Sequence, residues 1–447
     1  MTQEFSNLPR RLGGWSLAAI TVGIVIGSGI FRSPSEIAGL VGTPGNVLIV
    51  WLIGGLVTMC LALSLAELAA MFPRSGGLYS YLQEAFGDRA AFLFGWTFFL
   101  INPANWAAVA LIFADYITAV SPHSGSDSKW IATGAILLVS LVNIVSIRLS
   151  SQFNWVFTVV KGLALLGLSA GILLLSQGIS LPGVDPEFRP TVGGWGAALI
   201  AVLWPFEGVA AAAALAGEVK NPRRNLPLGL IGGTLFVMLT YLLVNAAFLS
   251  ALSVPAIAAS PFVAADAARA VMGDWGSSII AIAAIVATFG ALLAGATCDP
   301  RVLFAMAEDR LFFTKVGAIH RRFQTPHIAI MVTALLAVAY VWVRTFEELA
   351  AQFVLGMWVF YGWCVIGLIK LRRTRPDLPR PYKVPWYPFL PVIFVLASGA
   401  LLANAFVEMP VTSLANLVVI LLGLPIYWLW TSARREQNLA VTDSAGG

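Results

Sequence analysis

The chain has 447 residues, 59% of them hydrophobic and only 11% charged. Soluble domains carry about 25% charged residues, so this composition excludes a water-facing globule and calls for lipid as the outer solvent. The net charge of +5 is no nucleic-acid signal, because the basic residues sit in short connections between apolar runs, where they set orientation.

At about 20 apolar residues per crossing, the sequence predicts an all-α integral membrane protein of twelve transmembrane helices. They fall near 12–41, 45–72, 89–120, 130–148, 152–177, 194–217, 227–252, 276–306, 326–344, 348–371, 388–407 and 411–432. With the N-terminus inside, twenty-one Lys and Arg lie on inner connections and four (Lys129, Arg189, Arg269, Arg344) on outer ones; Arg32 and Lys161 lie within spans. That asymmetry predicts a multi-pass protein of the cell inner membrane with both termini cytoplasmic. No cleavable signal peptide is expected ahead of the first run. The stretch 253–275 reads as an outer loop with a short surface helix, and 307–325 as its inner counterpart.

Span one contains GIVIGSGIF, with Gly23, Gly27 and Gly29 inside seven residues. Each glycine weakens a helix by roughly 1 kcal/mol relative to Ala. A break at Gly27-Ser28-Gly29 would bare N–H groups on the half-helix beginning at Ile30 and carbonyls on the half-helix ending near Gly27. Such groups are tolerated at membrane depth only where they line a cavity or bind something. The N–H end suits an anion and the carbonyl end a cation, so together they suit a free amino acid. The same glycines also fit close helix packing of the Gly-x-x-x-Gly kind.

Lys161 lies about ten residues into span five, too deep to snorkel, and should face the protein interior. As a structural cation it would meet carbonyls at the break of span one. Span six reads LWPFEGVAA from Leu203 to Ala211. Pro205 removes a backbone hydrogen bond, Gly208 loosens the helix, and Glu207 puts an acid in an apolar run, where charge is costly unless paired or hydrated. A proline kink with a neutral Glu207 is the plainer alternative. Interrupted helices at equivalent positions of two halves point to a transporter site; here they are spans one and six. Glu67 and Glu218 are expected to pair with Arg74 or Arg148, and Asp299-Pro300-Arg301 to end span eight. Trp130, Trp195, Trp386 and Tyr427 read as interface belt.

Four segments carry a family resemblance: GSGIF in span one, FPRSGGLYSYLQEAFG at Phe72–Gly87, GEVKNPRRNLP at Gly217–Pro227 and RPDLPRPYKVPWYPFLP at Arg375–Pro391. In this order they resemble the amino acid–polyamine–organocation superfamily, nearest its bacterial L-type amino acid transporter branch. The resemblance implies one transporter domain: a five-plus-five inverted repeat (12–177 and 194–371) with broken helices 1 and 6, and two additional helices (388–432). It implies a substrate site of Val25, Gly27, Ser28, Gly29, Ile30, Trp204, Phe206, Glu207 and Gly208. N–H groups of Ser28 and Gly29, with the Ser28 hydroxyl, would hold the carboxylate; carbonyls of Val25, Trp204 and Glu207 would hold the ammonium; Trp204 would close over the substrate. Lys161 would replace a coupling sodium ion, with proton shuttling as an alternative role.

Val209 and Ala210 to Ala214 stand where many L-type relatives begin with Trp, which favours a small or apolar side chain. Arg32 is not a constant of the family; it is expected to approach Glu207 across the site or to pair with Glu36. The expected function is sodium-independent transport of neutral L-amino acids, as exchanger or permease. The alternatives are a proton-coupled symporter, or a carrier of a cationic amino acid or polyamine. Cys60, Cys298 and Cys364 and the three histidines form no metal or disulfide pattern. No cofactor, metal site or catalytic group is therefore expected, nor a phosphate loop. Membrane lipid and the free amino acid are the expected partners. The loop Ser121–Lys129 lacks Cys, so no disulfide-linked partner is expected.

Overall fold

The computed structural model describes residues 10, 12–120, 127–145, 147–176 and 191–445, with the side chains at 147–154 and 433–445 outside the description. The expectations resting on residues 121–126 and on the Arg148 side chain fall outside the described residues.

Every regular element described is helical. The helices run α1 Gly14–Val25, α2 Gly29–Val41, α3 Pro44–Met71, α4 Leu78–Phe86, α5 Asp88–Val120, α6 Ser128–Val145, α7 Ile147–Leu175, α8 Val192–Leu203 and α9 Val209–Ala213. They continue as α10 Pro222–Ala251, α11 Val254–Ala259, α12 Val263–Cys298, α13 Pro300–Glu308, α14 His327–Val343, α15 Phe346–Thr374, α16 Phe389–Glu408 and α17 Pro410–Ala445. Among the described residues, ten helices or helix runs are long and apolar enough to cross a membrane, and α1 with α2, bent by 50°, makes an eleventh. The expected span at 326–344 corresponds to α14, which has 17 residues and is shorter than the rest. The stretch 253–275 is more ordered than expected: it holds α11 and the start of α12, which kinks at Gly273.

Local chemistry sets the helix ends. Thr43 accepts from the Asn46 N–H, with Pro44 in the first turn of α3. Thr345 and Glu348 form a reciprocal capping box at the start of α15. α2 stops at Gly42, whose φ of 65° suits the left-handed cap. Around the core, α5 is central, with 78% of its apolar window buried, whereas α17 is peripheral at 17%. Leu137, Leu138 and Leu141 on α6 and Leu421 and Leu422 on α17 point outward, where lipid rather than water suits them.

One face of the bundle gathers the arginines and is stapled by buried ion pairs. Glu67 of α3, fully buried, accepts from Arg372 Nε at 2.9 Å and from the Val384 N–H at 2.7 Å, with Arg380 at 3.6 Å. Arg372 also lies 3.9 Å over the Tyr387 ring. Glu218 accepts from Arg301 Nε at 2.8 Å. Both acids therefore find partners other than the expected Arg74, which pairs with Glu84 instead. The reason is topological: α15 and α13 return to this face and bring Arg372 and Arg301 closer than any sequence neighbour. On the same face Leu12 and Val219 form a parallel bridge, with Leu12 N–H donating to Glu218 O at 3.0 Å and Lys220 N–H donating to Leu12 O at 2.8 Å.

Stripping one partner from a buried ion pair costs about 3–5 kcal/mol. Glu67→Ala should therefore lower the melting temperature of the detergent-solubilised protein clearly, while Glu84→Ala, whose partners Arg74 and Arg375 are half exposed, should not. Equal melting of wild type and Glu67→Ala would show that the staple bears no load.

Candidate substrate site

The first break falls where the glycines predict it. α1 ends at Val25, Ile26 leaves helical geometry with ψ of 85°, and α2 begins at Gly29. The N–H groups of Ser28, Gly29 and Ile30 find no backbone acceptor among the described residues. The glycines serve packing as well. A Cβ built on Gly29 would fall 2.6 Å from Pro205 Cα, and one on Gly27 would fall 3.0 Å from Ala291 Cβ. The two readings of the glycines are thus both realised: the break exists, and its lack of side chains lets the second broken helix touch it.

That second break runs from Trp204 to Gly208. Trp204–Phe206 form a single 3-10 turn, Glu207 is extended, and Gly208 takes φ of 116°, a conformation strained for any side chain. α9 then restarts the helix. The Glu207 carboxylate accepts from Trp358 Nε1 at 3.0 Å and from Tyr361 Oη at 2.7 Å, both on α15. This pairing satisfies the acid that the sequence left between a paired and a neutral reading.

A cavity opens between the breaks. Val25, Gly27, Ser28, Gly29, Trp204, Glu207 and Gly208 line it; Ile30 and Phe206 are buried but do not. Phe206 packs instead on Trp51 and Tyr241, with ring centroids 6.1 and 5.1 Å away. Two lining atoms, Ser28 Oγ and Trp204 Nε1, are buried with no hydrogen-bond partner among the described residues. Unpaired buried polar atoms are rare and costly, so a donor–acceptor ligand has an energetic place here. Among the carbonyls expected to face an ammonium, Val25 O already accepts from the Gly27 N–H at 2.8 Å and from Tyr241 Oη at 2.8 Å, and Trp204 O accepts from the Glu207 N–H at 3.0 Å. Glu207 O accepts from no backbone N–H among the described residues.

Lys161 is buried, and its ammonium donates to the Gly23 carbonyl at the end of α1. Arg32 pairs with neither Glu207 nor Glu36. It donates to Glu347 Oε1 at 2.8 Å and lies 5.8 Å over the Phe346 ring. The Glu207 carboxylate is engaged instead by Trp358 and Tyr361 on α15, while Phe346 covers Trp204, with ring centroids 5.0 Å apart. Arg32, Phe346 and Trp204 together close the face opposite the arginine-rich one.

Two features escaped sequence reasoning. Tyr241 Oη lies 2.8 Å from Val25 O and 3.0 Å from Pro205 O, so one hydroxyl ties the two breaks together. Asp299, where α12 hands over to α13, lines the cavity and accepts from Asn102 at 2.8 Å and Trp106 at 2.7 Å. It ends a helix, as expected, but it also faces the site. Asn102, Asn105 and Trp106 share one face of α5 by their spacing, a signal readable in the sequence but without a known partner there.

Residues 12–430 match the amino acid permease family. The chain belongs to that family. It is a permease of the amino acid–polyamine–organocation superfamily, a multi-pass membrane transporter and not an enzyme. The permease is 30% identical to the serine/threonine exchanger SteT of Bacillus subtilis, over 96% of this chain and 98% of that one. It is 31% identical to the mouse b(0,+)-type amino acid transporter 1, over 95% and 88% of the two chains. It is also 31% identical to the human large neutral amino acids transporter small subunit 2, over 94% and 80%.

Tyr241→Phe keeps the ring but leaves two buried carbonyls short of a donor, a loss of about 1–3 kcal/mol. Reconstituted Tyr241→Phe should transport amino acid with a clearly lower kcat/KM than wild type at equal protein. Unchanged kinetics would mean that the breaks keep their relative position without the hydroxyl.

Proposed function

We propose that the permease carries neutral L-amino acids with small or apolar side chains across the cell inner membrane, by alternating access and without sodium, as an exchanger or permease. The observation that carries this reading is the Lys161 ammonium bonded to the Gly23 carbonyl, a fixed cation beside the first break. A bound sodium ion would have to compete with a charge already in place. The bare N–H groups of Ser28, Gly29 and Ile30 suit the substrate carboxylate, and the Ser28 hydroxyl can add a bond. The carbonyl of Glu207 suits the ammonium, beside the already engaged oxygens of Val25 and Trp204. Gly27 and Gly208 let the backbones approach. Ala210, Ala211 and Ala214 line the wall for the side chain.

The reading includes a five-plus-five inverted repeat over 12–177 and 194–371, supported by breaks in the first helix of each half that meet at Gly29 and Pro205. It includes both termini on the cytoplasmic side, supported by the clustering of arginines on one face. Arg32, Phe346 and Trp204 cover the site on the face opposite the arginine-rich one, a closure that fits an inward-facing stage of the cycle. The reading has no disulfide-linked partner; Cys60, Cys298 and Cys364 are buried.

Proteoliposomes loaded with unlabelled amino acid should take up labelled alanine, serine or leucine at equal rates in sodium and in choline buffer. Lys161→Ala should reduce that uptake to background. A clear sodium requirement would overturn the proposed role of Lys161, and no uptake of any amino acid under any gradient would overturn the substrate assignment.

The Arg32–Glu347 pair is 35% and 57% exposed, and exposed pairs contribute about 0–1 kcal/mol. Glu347→Gln should therefore change the transport rate by no more than a few-fold. Complete loss of transport would assign Glu347 a role beyond this pair.

A further inference from the structure

A second cavity, of about 510 Å³, opens on the arginine-rich face. It follows the central one along the same two segments: Ser75 and Ala305 line this cavity, while their near neighbours Gly76 and Val302 line the other. Its walls carry charge of both signs that the protein itself does not neutralise. Arg10 is exposed and has no ion-pair partner among the described residues. Arg74 shares the Glu84 carboxylate with Arg375, two cations to one anion. Glu308 is half-buried and also has no ion-pair partner among the described residues. Asp309 beside it accepts only from neutral donors, Tyr79 Oη at 2.8 Å and Gln83 Nε2 at 3.0 Å. Opposite charges thus line one cavity without forming ion pairs across it. Charges left uncompensated in a cleft with low-dielectric walls raise the local concentration of mobile ions of opposite sign.

We propose that this cavity is a second, staging site for substrate, which takes a free α-amino acid by its two charged ends before it enters between the breaks. Arg10 and Arg74 receive the α-carboxylate; Glu308 and Asp309 receive the α-ammonium. The inference rests on the reading of the cargo as a free amino acid. A simple anion would satisfy one wall and a simple cation the other, whereas a zwitterion satisfies both at once. Both charges of an α-amino acid sit on one carbon, about 2.5 Å apart. Charge-assisted bonds add about 2.8 Å at each end, so one molecule links opposite charges roughly 8 Å apart. That reach spans groups too widely spaced for ion pairs of their own. The site reads the ends alone and is therefore indifferent to the side chain, unlike the alanine wall of the central cavity. Its charges are partly exposed, and exposed charges attract weakly. It fills at higher concentration than the central site and serves only the arginine-rich face.

The test uses the full-length protein in membrane vesicles of both orientations, inside-out and right-side-out, so that each face is presented to labelled alanine in turn. Arg10→Gln and Glu308→Gln should each raise the KM on the arginine-rich face about tenfold and leave the KM on the opposite face within about twofold. The double exchange, Arg10→Glu with Glu308→Arg, should bring the raised KM back to within about threefold of wild type, because a zwitterion can bind the exchanged pair turned round. A lost structural contact would not be restored in that way. Unchanged KM on the arginine-rich face in both single variants overturns the staging site. An equal rise on both faces overturns it as well, since that marks a disturbance of the central site or of the fold. A double exchange no better than the single variants overturns the bridging zwitterion and the site with it. Alanine uptake by wild type with any of these results leaves the cargo reading standing; no uptake of any amino acid from either face overturns the cargo reading and the staging site together.

Discussion

A peptide group that gives up its helical partner inside a bilayer must find another, and this constraint organises the permease. The chain breaks two helices at 26–28 and 204–208, and each break strands N–H and C=O groups where no water can reach from the lipid side. Some are recaptured by the protein: Gly27 N–H by Val25 O, Glu207 N–H by Trp204 O, and two carbonyls by the Tyr241 hydroxyl. The N–H groups of Ser28, Gly29 and Ile30 keep no backbone acceptor among the described residues, and Ser28 and Gly29 line the cavity. Selective repair of this kind is what distinguishes the proposed binding site from a mere kink.

The arrangement around the breaks is divided between firm and yielding parts. On the arginine-rich face, Glu67 is wholly enclosed by Arg372, Arg380 and the Val384 N–H, and Glu218 is enclosed with Arg301. On the opposite face the closure is an exposed ion pair and an edge-on contact between Trp204 and Phe346. Buried pairs resist separation far more than exposed ones. Under the proposed alternating access, the closure to be opened is built from the weaker class of contact, and the α3–α15 framework from the stronger.

Much of this was legible in the sequence because it is local. Glycine and proline spacing located both breaks, since helix propensity acts through a residue's own dihedrals. Hydropathy located the spans, and the depth of Lys161 in its span required an interior partner. Partner choice was another matter. Glu67 and Arg372 are 305 positions apart, Arg32 and Glu347 are 315, and Asn102 and Asp299 are 197. Nothing in one stretch of sequence says which distant charge will arrive beside it; only the packing of α15 and α12 decides that. Tyr241 was invisible for a related reason, because a tyrosine in an apolar helix has no pattern that distinguishes a structural ring from a bridging hydroxyl.

The bridge between Leu12 and Val219 couples two stretches that the chain separates by some two hundred residues. Leu12 leads directly into α1, and Val219 follows closely after α9, so the two backbone bonds act as a yoke across the two interrupted helices. A slip of one residue by either arm would forfeit both bonds at once. The start of α1 and the stretch after α9 are therefore joined through the main chain on this face, independently of which side chains occupy the positions between them.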